Sequence, residues 1–166
     1  MTVLHAFGMS KGFVGGLPVV QIAQYMGIVD IPIGAEAGAE RLLRVQADQQ
    51  PNALIGTPYF LAYLAGQAPS SVGRPARELG VRVLSVGGEP GGGLSAVREN
   101  LEALWGATSP EMLGGTDIAC TYWGECEAAD GMHFLSPDLM VAELIEPETG
   151  ERVAPVAGAR GERVDG

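Results

Sequence analysis

The chain has 166 residues, 46% of them hydrophobic and 18% charged, with 25 glycines, 11 prolines and a formal net charge of −10. That length and composition suit one folded unit with a real core and exclude a disordered chain. So acidic a surface repels phosphates, which excludes nucleic acid and an anionic membrane as partners; a phosphate-bearing ligand would need backbone N–H groups, a helix N-terminus or a metal ion.

The opening stretch MTVLHAFGMSKGF lacks the apolar core of a signal peptide, and no later run reaches the roughly 20 apolar residues of a membrane helix. Residues 16–26 place Val19, Ile22, Ala23 and Met26 at helical spacing. Residues 28–33 (IVDIPI) are β-branched and bounded by glycines, which predicts a buried strand. A second helix is expected over 37–48, a strand over 52–56, and a helix from Thr57-Pro58 to about Leu64, with Thr57 as N-cap and Pro58 in the first turn. Residues 81–86 (VRVLSV) form the clearest strand, which runs into Gly87-Gly88-Glu89-Pro90 and then a helix over 94–104. Strand, glycine turn and helix in repetition predict an α/β fold with a largely parallel sheet and crossover helices.

After Gly114 the texture changes: 132–135 and 139–145 read as strands, and Pro147-Glu148-Thr149-Gly150 as a hairpin turn leading to 151–153. Two units are therefore expected, a crossover subdomain over 1–112 and a β-rich segment over 113–166.

Three segments carry candidate chemistry. Gly87, Gly88, Glu89 and Pro90 follow a strand, at the sheet edge where α/β ligands bind; a plain strand-to-helix turn is the alternative. Gly114, Gly115, Thr116 and Asp117 combine backbone N–H groups, a hydroxyl and a carboxylate, a set that suits a phosphate and Mg²⁺, or else an Asx or Thr turn. Cys120, Cys126 and His133 are zinc-ligand types, with Cys126 and His133 flanking a turn at Asp130-Gly131; free structural cysteines and a lone histidine are the alternative. Two cysteines make no disulfide framework, so a cytoplasmic setting is expected. His5, alone near the start, reads as incidental. Nucleophile elbow, Walker loop and H-E-x-x-H are all missing from the sequence.

In order and spacing these segments resemble the phenylacetate–CoA ligase branch of the adenylate-forming acyl-CoA ligases. Phe7-Gly8-Met9 through Gly15-Gly16-Leu17 is similar to its aromatic-glycine stretch, and Ile31-Pro32 and Thr57-Pro58-Tyr59 to its strand end and helix start. Gly87-Gly88-Glu89-Pro90 resembles its adenine loop, and Glu125-Cys126 with Gly131-Met132-His133 its Glu-Cys…Gly-Leu-His segment. Residues 143–150 (ELIEPETG) are similar to its hairpin, and Gly161-Glu162 to its next strand.

The resemblance implies a partial N-terminal domain of an enzyme that converts a small aryl or acyl carboxylic acid to an acyl-adenylate with ATP, then to a thioester with CoA. It places Thr116 at the α-phosphate, Asp117 on Mg²⁺, residues 87–90 along the adenine, and Phe7 and Gly8 beside the acyl pocket. Where the family has Tyr-Gly-Leu-Thr/Ser-Glu, this chain has Leu113-Gly114-Gly115-Thr116-Asp117, so a stacking ring is lost and the carboxylate is one methylene shorter. The family's phosphate loop would lie before Met1, and its ribose-binding Asp and Lys-bearing domain after Gly166. The 166 residues are therefore expected to be inactive alone, as a gene fragment, a misassembled reading frame or a decayed paralogue would be; the protein partners expected are a homo-oligomer or the missing domain in trans. The rival reading is a non-catalytic nucleotide-binding or assembly module on the same fold. If residues 87–90 and 116–117 form half of an adenylate site they should converge, carried to one sheet edge by successive strands with 94–104 as the crossover.

Overall fold

The computed structural model describes residues 1–10, 15–115, 117 and 119–153, with the side chains of residues 119 and 120 outside that description. The fold is α/β. Its first sheet has four strands, β1 (Thr2–His5), β2 (Val29–Pro32), β3 (Ala53–Gly56) and β4 (Val83–Val86), in the order β2-β1-β3-β4. Every pairing in it is parallel. Helices α1 (Gly16–Tyr25), α2 (Ala39–Gln49), α3 (Pro58–Val72) and α4 (Ser95–Trp105) lie between or after these strands.

The pleat sorts side chains onto two faces. Leu4, Leu54, Leu84 and Val86 turn to one face, where Leu42 and Leu43 of α2, Leu61 and Leu64 of α3, and Leu101 and Trp105 of α4 complete the main core. The Trp105 indole N–H donates to the Leu61 carbonyl at 3.0 Å, which satisfies the one polar atom of that ring inside the core. Gln46, buried on α2, donates to the carbonyls of Pro51 and Leu79, each at 2.9 Å, and so fastens two loops to the helix. Val3, Phe7, Ala53 and Ile55 face the other way and form a smaller cluster with Val19 of α1, Val83 and Met112.

Beyond α4 the chain runs parallel to β4 through bridges Val83 to Thr108 and Val86 to Glu111. It then enters an antiparallel sheet of β5 (Met112–Gly115), β6 (Ala119–Glu125) and β7 (Met132–Phe134). A two-stranded hairpin, β8 (Leu144–Ile145) and β9 (Arg152–Val153), completes the described elements. Among the described residues no helix is long and apolar enough to cross a membrane.

Four expectations change. The 28–33 strand is not buried: β2 is the sheet edge, and Val29 is 60% exposed. The helix opened by Thr57-Pro58 continues past Leu64 to Val72, through Pro69, because Leu61, Leu64, Ala65 and Ala68 all bury against the sheet. Thr57 has the extended backbone of an N-cap, but its side chain makes no capping bond. The strand expected over 139–145 shrinks to Leu144–Ile145.

Candidate functional site

Because all four strands of the first sheet are parallel, their carboxyl ends open onto one edge. There β1 continues to Phe7-Gly8, β2 to Gly34, β3 to Thr57, and β4 to Gly87-Gly88. This is the edge at which α/β sheets bind ligands, since the loops diverge there and leave main-chain groups unpaired.

The glycines of this edge mark close approaches. A Cβ on Gly87 would lie 2.6 Å from the Met112 carbonyl oxygen, so the start of the β4 loop rests directly on the main chain entering β5. Gly88 has φ +79°, a left-handed conformation, and a Cβ there would sit 3.5 Å from both the Phe7 ring and the Thr57 methyl. The structure therefore brings Phe7, Thr57 and Gly88 together from three strand ends. Glu89 and Pro90 are exposed beyond them. Tyr59, 60% exposed at the start of α3, has its hydroxyl 3.4 Å from the position of a Cβ on Gly91.

On the opposite flank Glu36 accepts the amide N–H groups of Met9 (2.7 Å) and Ser10 (2.8 Å). Amide donors, its own first and then that of Ser10, hold its carboxyl below the usual range. Gly8 accepts from the Gly16 amide at 3.0 Å, which joins the Phe7-Gly8 segment to the first turn of α1.

The strand that carries the second glycine segment meets the β4 loop at Met112, by a different route from the one expected. Residues 94–104 do form the crossover, as α4, and the strand after it runs parallel to β4 only as far as Glu111. Gly114 and Gly115 then belong to β5 of the antiparallel sheet, with a register shift between Leu113 and Gly115. Asp117 is an exposed turn residue between β5 and β6, and Thr116 lies outside the described residues. Leu113 is 47% exposed and pairs with Trp123 of β6.

A buried ion pair ties α4 to β6. Arg98 of α4 donates from Nη2 to both carboxylate oxygens of Glu125, at 2.6 and 2.7 Å, and the Glu111 amide donates to the same carboxylate at 2.8 Å. The Glu125 side chain is fully buried, that of Arg98 nearly so.

Of the sulfur and imidazole group, Cys126 is an exposed free thiol just past β6 and His133 is exposed on β7. Cys120 belongs to β6, but its side chain is outside the described set. Among the described residues no three His, Cys, Asp or Glu side chains gather as a metal would require.

Several residues of this region carried no site reading from sequence: Thr57, Met112, the Arg98–Glu125 tie and Glu36. His5, read as incidental, is wholly buried, with Nδ1 3.5 Å from the Asp30 carboxylate. The one signal for it was an acidic residue inside the apolar run IVDIPI, which a strand rarely accepts without a partner.

No protein-family model and no curated protein matches this chain. Among solved structures it is similar to 2-hydroxyisobutyryl-CoA ligase, in an open conformation with 2-HIB-AMP and CoA. That match has a TM-score of 0.80 at 24% identity and covers 92% of this chain and 34% of that one. A benzoate CoA ligase from Burkholderia xenovorans LB400 matches with a TM-score of 0.59 at 18% identity, over 92% of this chain and 30% of its own. The luciferase-like enzyme of the mealworm Zophobas morio matches at 0.56 and 15%, over 93% and 37%. The shared property is the fold: a parallel sheet with its helices, matching part of a domain of adenylate-forming enzymes. The chain spans about a third of the length of these structures.

Proposed function

We propose that this chain is part of the large domain of an AMP-forming carboxylate–CoA ligase, of the phenylacetate–CoA ligase type, and contributes one side of its adenylate site. The observation that carries this is the meeting of Phe7, Thr57 and Gly88 at the carboxyl edge of a parallel sheet, with Gly87 pressed onto the strand that leads to Asp117. In this reading the main chain of residues 87–90, exposed from Gly88 onward, lies along the adenine, and Phe7 and Gly8 border the acid substrate. The backbone of Gly114 and Gly115 would face the α-phosphate, to which the resemblance also assigns Thr116.

The reaction joins two anions. A substrate carboxylate oxygen bonds to the α-phosphorus of ATP as the bond to pyrophosphate breaks; the CoA thiolate then attacks the acyl carbon and AMP leaves. Oriented donors and a cation must offset the charge that builds up in the first step. Asp117, an exposed carboxylate at a turn, fits a hard cation such as Mg²⁺, which would supply that neutralisation.

The 166 residues expressed alone should leave ATP–pyrophosphate exchange with phenylacetate at background. Their β4 and β5 loops provide one wall of a site whose phosphate loop and lysine the resemblance assigns to sequence outside 1–166. Expressed in frame with flanking sequence that carries both, the protein should exchange pyrophosphate with at least one aryl or acyl acid. Exchange by the isolated chain would refute the division of the site. A completed protein inert towards every such acid would refute the ligase reading.

A further inference from the structure

The His5–Asp30 pair takes no part in the site above. His5 on β1 and Asp30 on the neighbouring β2 project from the same sheet face, towards α1. Their side chains are 0% and 3% exposed, and among the described residues the two nitrogens and two oxygens have no hydrogen-bond partner. A Cβ on Gly16, the first residue of α1, would come within 2.9 Å of His5 Nε2 and 2.8 Å of the Gly8 carbonyl oxygen. The helix thus begins directly on the imidazole, and the segment at residues 7–9 leans on the same place.

Little else there bears charge. Helix α1 contains no acidic or basic residue, and its Tyr25 is 94% exposed. The residues beside His5 in the sheet are Pro32 and Ile55. Glu36, next to the Gly34 amide that donates to the His5 carbonyl, spends its carboxylate on the Met9 and Ser10 amides. Among the described residues Asp30 is therefore the only charged side chain facing the ring.

We propose that the His5–Asp30 pair is a proton-sensitive latch: α1 and residues 7–9 stay seated over a neutral imidazole, and protonation of His5 loosens them from the sheet. The inference rests on the burial of the pair and is independent of the ligase reading. Burial lowers the His5 pKa from its ordinary 6.5, and Asp30, which favours the charged ring, only partly offsets this. The folded state therefore holds the proton less tightly than the open state does. Stability is fully present above about pH 6.5 and is lost progressively below it, as the open form takes up a proton. The loss should be local, because α1 buries only Gly16 and Ala23, whereas α3 buries five residues, four of them in the main core.

Hydrogen exchange of the 166-residue chain tests this, with a His133→Gln variant so that ring-labelled NMR reports His5 alone. Opening of residues 16–25 should rise about tenfold between about pH 7.5 and 5.5 after correction for intrinsic exchange, one proton being worth a factor of ten per pH unit. Residues 58–72 should keep their protection, the His5 ring should stay neutral wherever α1 is protected, and His5→Gln should flatten the pH dependence. If His5→Gln does not fold, exchange in the His5-containing chain decides. An imidazolium signal under a fully protected α1, or equal acceleration of α1 and α3, would overturn the latch.

Discussion

Replacing Glu125 by alanine is expected to cost about 3–5 kcal/mol of folding stability, the range for removing one partner of a buried ion pair. The loss is large because two donors are orphaned together. Arg98, 14% exposed, keeps its charge without a carboxylate, and the Glu111 amide loses its 2.8 Å acceptor. Urea denaturation should show it as a lower midpoint at nearly unchanged slope. The pair of Glu40 and Arg44 on α2 is the comparison, since both side chains are more than 60% exposed. Removing Glu40 should cost under about 0.5 kcal/mol, because water already screens that pair. Equal effects at the two sites would mean that the tie between α4 and β6 is not a structural element of the fold.

Gly87→Ala is the second large effect, expected at about 1–3 kcal/mol. The added methyl would lie 2.6 Å from a main-chain oxygen, that of Met112, which cannot swing aside as a side chain could. The β4 loop and the entrance to β5 must separate instead, and with them the two segments assigned to the nucleotide. Gly88→Ala tests the other cause of glycine use at this edge. Its Cβ has room at 3.5 Å, so the cost is the left-handed backbone alone, about 1 kcal/mol. Thermal unfolding of both variants should rank Gly87→Ala below Gly88→Ala; the reverse order would contradict the close approach at Met112.

The parallel sheet was legible because β3 and β4 are apolar runs that end in Gly-Thr-Pro and Gly-Gly, each followed by a helix with its own periodicity. The weaker readings share a cause, which is that tertiary contacts outweigh local signals. The helix opened by Thr57-Pro58 was expected to end near Leu64, yet buried Ala65 and Ala68 carry α3 on through Pro69 to Val72. Strand β1 is short and ends on a histidine that only a partner on another strand makes tolerable in the interior. Strands β5 and β6 carry Gly114, Gly115, Gly124 and Glu125, poor strand formers whose places are set by cross-strand pairing and by Arg98. At the site, the glycine loop after β4 could be read from sequence. Its contacts with Phe7, Thr57 and Met112 could not, because they join residues far apart in the chain.

Titration of the chain with AMP and Mg²⁺, followed residue by residue by NMR, tests the half-site most directly. Binding should be weak, no tighter than about millimolar or roughly −4 kcal/mol, since on the proposed reading Leu113 stands where the ligases this chain resembles carry a stacking ring. The amides of residues 86–89, 91 and 113–117 should shift together along one curve, and Asp117→Ala should weaken the binding through loss of the cation. Saturable shifts confined to another face of the molecule, or shifts in one glycine segment that leave the other untouched, would contradict it.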